Sequence, residues 1–256
     1  MFFMKDSQVN IMDERQKNFK PPPKRHQPRG LSVIYEDRDI VVVDKINGLL
    51  TVGTEKEREQ TAYFRLNDYV KKGNSKSRNR VFIVHRLDRD TSGVLVFAKH
   101  QAAKRYLQDE WQSFTKKYYA VVHGALPKKE DVISSYLTEN QGYRMRSVRD
   151  SKQGKLSKTG YKVLQESEYY SLLEVDLITG RKNQIRVHLF EKGCPVVGDK
   201  VYGKKKKGVK RLMLHAASLT ILHPHTKREM TFETKVPSHF TALVNDSRES
   251  NRKGKR

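Results

Sequence analysis

The amino-acid sequence predicts an α+β fold built on a mixed, largely antiparallel sheet flanked by helices and loops. Short β-branched runs outnumber segments of helical periodicity. Successive runs mostly follow one another without the helical crossover that a doubly wound parallel sheet requires. Only three segments carry a helical signature, too few to alternate with the strands.

Taken in order, residues 32–35 and 39–44 are apolar runs bounded by Glu36-Asp37 and Asn47-Gly48, and read as two strands. From Thr61 to Lys72, Ala62, Leu66, Tyr69 and Val70 share one helical face, and Gly73 follows as a stop. Residues 82–84 and 94–98 read as buried strands on either side of a polar loop. Over 101–114, Ala103, Leu107, Trp111 and Phe114 recur at helical spacing. Further strands are expected at 118–122, 161–164, 172–177, 219–222 and 230–232. A short helix should begin near Gln184 and stop at Gly193.

Composition narrows the function. The chain has 256 residues, 52 Lys+Arg against 29 Asp+Glu, and a net charge of +23. Such an excess points first to a nucleic-acid partner and second to an anionic membrane surface. A single cysteine, Cys194, excludes a disulfide framework and every Cys-based zinc pattern. No apolar run approaches the ~18 residues that span a bilayer, and the first residues lack the apolar core of a signal peptide. A cytoplasmic protein with no membrane partner is expected. Residues 1–30 hold four of the eight prolines and read as a flexible basic arm. The catalytic domain is expected over 31–243, followed by a basic tail at 244–256.

Three polar segments invite chemistry. His85-Arg86-Leu87-Asp88-Arg89-Asp90-Thr91-Ser92-Gly93 is a charged loop between two buried strands, a good mount for a reactive group and equally a solvated turn. Thr179-Gly180-Arg181-Lys182-Asn183-Gln184 brings cations and amides to a helix start, which suits an anion or mere solubility. In Lys116-Lys117-Tyr118-Tyr119-Ala120, the two tyrosines point to opposite faces of a strand, so one can pack while the other meets a base. Residues 198–204 imitate the front of a phosphate-binding P-loop, but Lys205 stands where Ser or Thr should hold the metal, and the match is rejected.

Together, the loop at 85–93, the strand at 116–120 and the Thr-Gly-Arg-x-x-Gln-Ile-Arg-Val-His stretch at 179–188 resemble the RluA-type family of RNA pseudouridine synthases. Supporting matches include Gly48-Leu49-Leu50, Gly198-Asp199, Tyr202-Gly203 and Leu214-His215-Ala216, so the resemblance covers about residues 31–240. It implies a pseudouridine-synthase-like catalytic domain that isomerises uridine in ribosomal or transfer RNA. The reaction breaks N1–C1′ of a flipped-out nucleotide, turns the base and joins C5 to C1′. It is redox-neutral, so no cofactor and no metal are expected.

The resemblance makes Asp88 the essential carboxylate, Arg186 its cationic partner and Tyr118 the residue that stacks on uracil and serves as a base. It makes Ile185 an apolar wall, Arg86 the residue that fills the vacated space in the RNA, and His85, Arg181 and Lys116 further RNA contacts. A two-pronged contact from Arg186 would fix the direction of the Asp88 carboxylate. Asp90 reads as structural. Two departures, Asp44-Lys45-Ile46 for the family's Asn-Lys-Pro and Asn183 for a frequent His, are expected to leave the catalytic set untouched. No S4-type RNA-binding domain, a feature of many relatives, is expected before the catalytic domain, and a monomer is the default expectation. A non-catalytic RNA-binding protein on the same fold, or a base-excising glycosidase using Asp88, would share the basic charge. Retention of Asp88, Tyr118 and Arg186 favours the isomerase over the first; the second predicts free uracil as product.

Overall fold

The computed structural model describes residues 19–53, 57–203, 209 and 211–245. Eleven strands form a single sheet: β1 (Leu31–Glu36), β2 (Ile40–Lys45), β3 (Phe82–Ile83), β4 (Ser92–Ala98), β5 (Thr115–His123), β6 (Glu130–Glu139), β7 (Met145–Val148), β8 (Lys155–Glu166), β9 (Tyr170–Leu177), β10 (Leu214–Leu222) and β11 (Glu229–Glu233). Four α-helices accompany them: α1 (Ala62–Lys71), α2 (Gln101–Asp109), α3 (Gln184–Glu191) and α4 (Ser238–Asn245).

The main path runs β1-β2-β4-β10-β5-β9-β8-β6-β7, with β11 pairing β10 and β3 pairing β4. Every strand pair is antiparallel except β4–β10, which is parallel. The expected α+β architecture with a mixed, mostly antiparallel sheet is therefore the one observed.

Continuous apolar runs form the central strands because both faces of the sheet are covered. Along β2, Val41 and Val43 enter one core cluster while Ile40 and Val42 enter another. Strand β4 divides its residues likewise, Leu95 and Phe97 to the first and Val94, Val96 and Ala98 to the second. Helix α1 covers the first face with Ala62, Leu66 and Val70, and α4 adds Phe240 and Val244. Helix α2 covers the second face with Ala103 and Leu107.

The parallel pair depends on glycine. Gly93 has φ +115°, and a Cβ there would lie 2.0 Å from the carbonyl oxygen of Ala216 on β10. No side chain fits that approach. Ser92, one residue earlier, places its Oγ 2.9 Å from Nδ1 of His215, and Arg211 donates to the same oxygen at 2.7 Å.

Several sequence expectations are corrected. The helix expected over 101–114 ends at Asp109, and Trp111 and Phe114 sit on the turn that follows. Strands β6 and β7 and helix α4 carry no strong periodic signal and escaped the sequence reading. Part of the expected arm is ordered: the Phe19 ring lies 5.5 Å from Tyr35, and Gln27 accepts from Val33 N and donates to Pro22 O, both at 2.7 Å. Residues 1–18, the basic tail from 246 on and the lysine loop at 204–207 lie outside the described residues.

Candidate active site

The loop between β3 and β4 carries Asp88, and a second segment holds that loop from below. Thr51 Oγ1 donates to Leu87 O at 2.8 Å and accepts from Leu87 N at 3.1 Å. Lys45, fully buried at the end of β2, donates through Nζ to Leu49 O (2.7 Å), Ile46 O (3.1 Å) and Arg89 O (3.2 Å). Burial lowers its pKa to about 7, against the opposing pull of Asp88 and Asp90. Asn47 Nδ2 donates to Asp90 O, and Gly48 N to Arg89 O at 2.9 Å. Backbone carbonyls that a loop would leave open to water are thus consumed, and the carboxylate is presented from a fixed frame.

Asp88 faces Arg186, which α3 brings in from the other side. Arg186 Nη1 donates to Asp88 Oδ2 at 3.2 Å. The guanidinium fork is directed elsewhere: Nε and Nη2 donate to the two oxygens of Asp199 at 2.7 and 2.8 Å. The expected two-pronged contact with Asp88 is therefore corrected to a single bond, with Asp199 taking the bidentate position. Asp199 is held in turn by Val201 N (2.8 Å) and Tyr202 N (3.0 Å). Gly198, at φ +77°, permits this: a Cβ there would lie 1.9 Å from Arg211 O. Burial alone would lower the pKa of Arg186, but Asp199 and then Asp88 outweigh it and the net shift is upward.

Asn183 also belongs to this group. It precedes α3 in the left-handed region (φ 52°), where asparagine is tolerated, and its Oδ1 accepts from Arg186 Nη1 at 2.9 Å. The departure at Asn183 thus does touch the expected catalytic set, contrary to the sequence expectation. In the other stretch, Asp44-Lys45-Ile46, the residue that supports the loop is Lys45, the one position there that agrees with the family pattern.

Asp88, Arg186 and Asn183 line a pocket of about 280 Å³. All eight residues named from the sequence border it: Asp88, Tyr118, Arg186, Arg86, His85, Ile185, Arg181 and Lys116. Tyr118 projects from β5, only 8% exposed, and its hydroxyl has no hydrogen-bond partner among the described residues. Burial and then the Asp88 charge raise its pKa above the usual tyrosine value. The shift favours the protonated phenol in the free enzyme. Tyr119 points away, its hydroxyl donating to Glu174 at 3.4 Å.

Other expectations shift in detail. His85 accepts from Val96 N at 3.1 Å through Nε2 and stacks on Trp111 with ring centroids 4.2 Å apart. Burial, with Lys116 nearby, lowers its pKa to about 3, which favours the neutral ring. Lys116 donates to Trp111 O at 2.9 Å, its pKa lowered by burial. Lys182 is paired with Glu139. Arg86 is exposed at the mouth with no ion pair among the described residues, and Arg181 Nε is buried without a partner. Asp199, Asn183, Lys45 and Thr51 hold Arg186 or the Asp88 loop, contacts that residue type alone did not single out.

The pocket sets one half-buried carboxylate beside a clamped arginine and a tyrosine ring, on a mostly antiparallel sheet. The family model described as RNA pseudouridylate synthase matches residues 39–191. An RNA pseudouridine synthase of Mycoplasma pneumoniae, the MG209 homolog, is 35% identical over 87% of this chain and 73% of its own. The ribosomal large subunit pseudouridine synthase C of Buchnera aphidicola is 31% identical over 84% and 70%. The structure of human RNA pseudouridylate synthase domain containing 4 aligns with a TM-score of 0.69 and 26% identity, covering 85% of this chain and 92% of that one. The chain belongs to the RluA-type family of RNA pseudouridine synthases. It is an isomerase acting on RNA. No described helix is long and apolar enough to cross a membrane.

Proposed function

We propose that this enzyme converts one or a few uridines of large-subunit ribosomal RNA to pseudouridine, with Asp88 as the essential catalytic group. The observation that carries the proposal is the Asp88–Arg186 contact at 3.2 Å in a pocket also lined by Tyr118. Large-subunit RNA is favoured because relatives from Buchnera aphidicola and Vibrio cholerae bear that substrate in their names.

The target nucleotide leaves its stack at a cost of a few kcal/mol and enters the pocket, with Arg86 at the mouth beside the space it vacates. Ile185 and the Tyr118 ring enclose the uracil. Asp88 acts as an anion in each available route: addition to C1′, addition to C6, or assistance of elimination to a glycal. The N1–C1′ bond breaks, C5–C1′ forms, C5 gives up a proton and N1 gains one, so the product is an isomer. Arg186, anchored to Asp199 throughout, keeps the carboxylate aimed while the base turns. All of these groups come from one chain, so a monomer suffices.

The test is to incubate the purified protein with unmodified large-subunit ribosomal RNA and with bulk transfer RNA, then map pseudouridine by chemical labelling and sequencing. New pseudouridine is expected in the ribosomal RNA. Asp88→Asn should abolish it while RNA binding persists, since the swap keeps shape and removes charge. Unchanged turnover in that variant refutes the role of Asp88, and modification confined to transfer RNA refutes the substrate.

A further inference from the structure

Beyond the pocket, the chain carries a second cationic feature, between α1 and the loop that follows it. Residues 71–80 read Lys-Lys-Gly-Asn-Ser-Lys-Ser-Arg-Asn-Arg, five cations without an acid. A run of this kind is commonly just a solvated loop, but here the loop is built into a wall. Lys72 (φ 50°) and Gly73 (φ 75°) reverse the chain at the end of α1. The returning strand is then tied to the helix: Val81 N donates to Asn67 Oδ1 at 3.0 Å, Asn79 Nδ2 to Val70 O at 3.4 Å, and Asn67 Nδ2 to Tyr63 O at 2.8 Å.

The result is a groove of about 880 Å³, some three times the volume of the active-site pocket. Arg58, Lys71, Arg78 and Arg80 line it, with Asp68 as the one carboxylate in the lining. None of the four cations forms an ion pair among the described residues; Arg80 lies over the Phe82 ring at 4.8 Å. Phe64, 38% exposed, adds an aromatic edge. Four cations against one carboxylate among the described lining residues, beside an exposed ring, suit a phosphodiester backbone with its bases, and not an apolar or cationic partner.

The groove is joined to the active-site loop. Thr51, which clasps Leu87, also accepts from Tyr63 N at the start of α1 (3.1 Å), and Val52 and Gly53 line the groove. Arg86 follows Arg80 by six positions, so by chain length the two are at most ~21 Å apart. We propose that this groove is a second RNA-docking surface, holding the strand that flanks the target uridine by its phosphates. The assignment rests on RNA as the substrate and adds where the rest of the RNA lies.

The test uses Arg58→Gln/Arg78→Gln/Arg80→Gln, three exposed positions outside the pocket, and a control, Lys20→Gln/Lys104→Gln/Arg105→Gln, that removes equal charge elsewhere. Two labelled RNAs are compared by fluorescence anisotropy: a hairpin of about 12 nucleotides with a loop uridine, and the same hairpin extended by about 12 nucleotides on each side. The groove variant should bind the extended RNA at least ~10-fold more weakly and the short hairpin within about twofold of wild type. The slope of log affinity against log salt for the extended RNA should fall by about 2–3, as expected for three lost phosphate contacts. The control variant should show neither effect. Equal affinity for the extended RNA, or equal losses on both RNAs, overturns the assignment. Binding reads the groove alone; failure of the catalytic reading would show separately, as no Asp88-dependent pseudouridine.

Discussion

Arg186 makes four hydrogen bonds to three side chains, and the uneven way it divides them determines how the site responds to substitution. Its fork is spent on Asp199 and a single N–H reaches Asp88. Replacing Asp88 therefore leaves the arginine in place, whereas replacing Asp199 strands a buried cation. Asp199→Asn should destabilise the fold by roughly 3 kcal/mol and lower turnover at least ~10-fold, read by thermal denaturation and single-turnover assays; unaltered turnover would show that the fork serves stability alone. Arg186→Lys should fail on both counts, because an ammonium cannot reproduce the planar fork. Tyr118→Phe removes a hydroxyl that bonds to nothing in the free enzyme, so the melting temperature should hold while turnover drops ~10²-fold or more. A wild-type rate would confine Tyr118 to stacking. Asp88, Tyr118 and Arg186 were legible because each stands inside a long, unusual run of residues. Asp199 was not: a lone aspartate after a glycine looks like a turn, and only the fold reveals what its two oxygens meet.

The loop bearing Asp88 is positioned by elements on three sides: the 45–51 segment below, β4 leading away, and β10 alongside. Lys45 shows why part of this escaped the sequence. A lysine ending the run Ile-Val-Val-Val-Asp-Lys looks like a strand meeting water, yet it is fully buried under three carbonyls. Strands β2 and β4 were legible from unbroken apolar runs. Strand β6 was not, since Ile133 and Leu137, its only buried residues, share one face with polar Ser135 between them, so no run of alternating apolar residues marks the strand. Helix α2 looked longer than it is because Trp111 and Phe114 continue its apolar spacing after the hydrogen bonding has stopped. The Gly93 approach to β10 yields a sharp expectation. Gly93→Ala should cost more than ~3 kcal/mol, combining a positive-φ penalty with a backbone clash. Chemical denaturation would measure it, and a loss under 1 kcal/mol would mean that β4 and β10 can move apart freely.

At the scale of the whole molecule, three buried histidines tie stability to pH. Burial is the leading cause that takes His85 to about 3 and both His188 and His215 to about 4, from an ordinary value of 6.5. Each is neutral when folded and free to take a proton when unfolded. The contribution of these three groups is therefore complete above pH 6.5 and should fall steadily towards pH 4. Melting temperatures measured from pH 7.5 to 4.5 check this, and a flat profile would contradict it. Below that range Asp37 acts in the same direction. Burial alone would raise its pKa, but bonds from His223, Ile40 N, Asp39 N and Tyr35 bring it to about 2, and that contribution is lost as pH falls from 3.8 towards 2. The sheet order carries a last consequence. Asp88 lies early in the chain, but the glycine contact beside it waits for β10 at Leu214–Leu222, and the clamp on its arginine waits for Asp199. A ribosome making this protein therefore releases no working intermediate: the acid emerges long before its neighbours, and competence arrives in one late step, when the distant strand slots in beside the first.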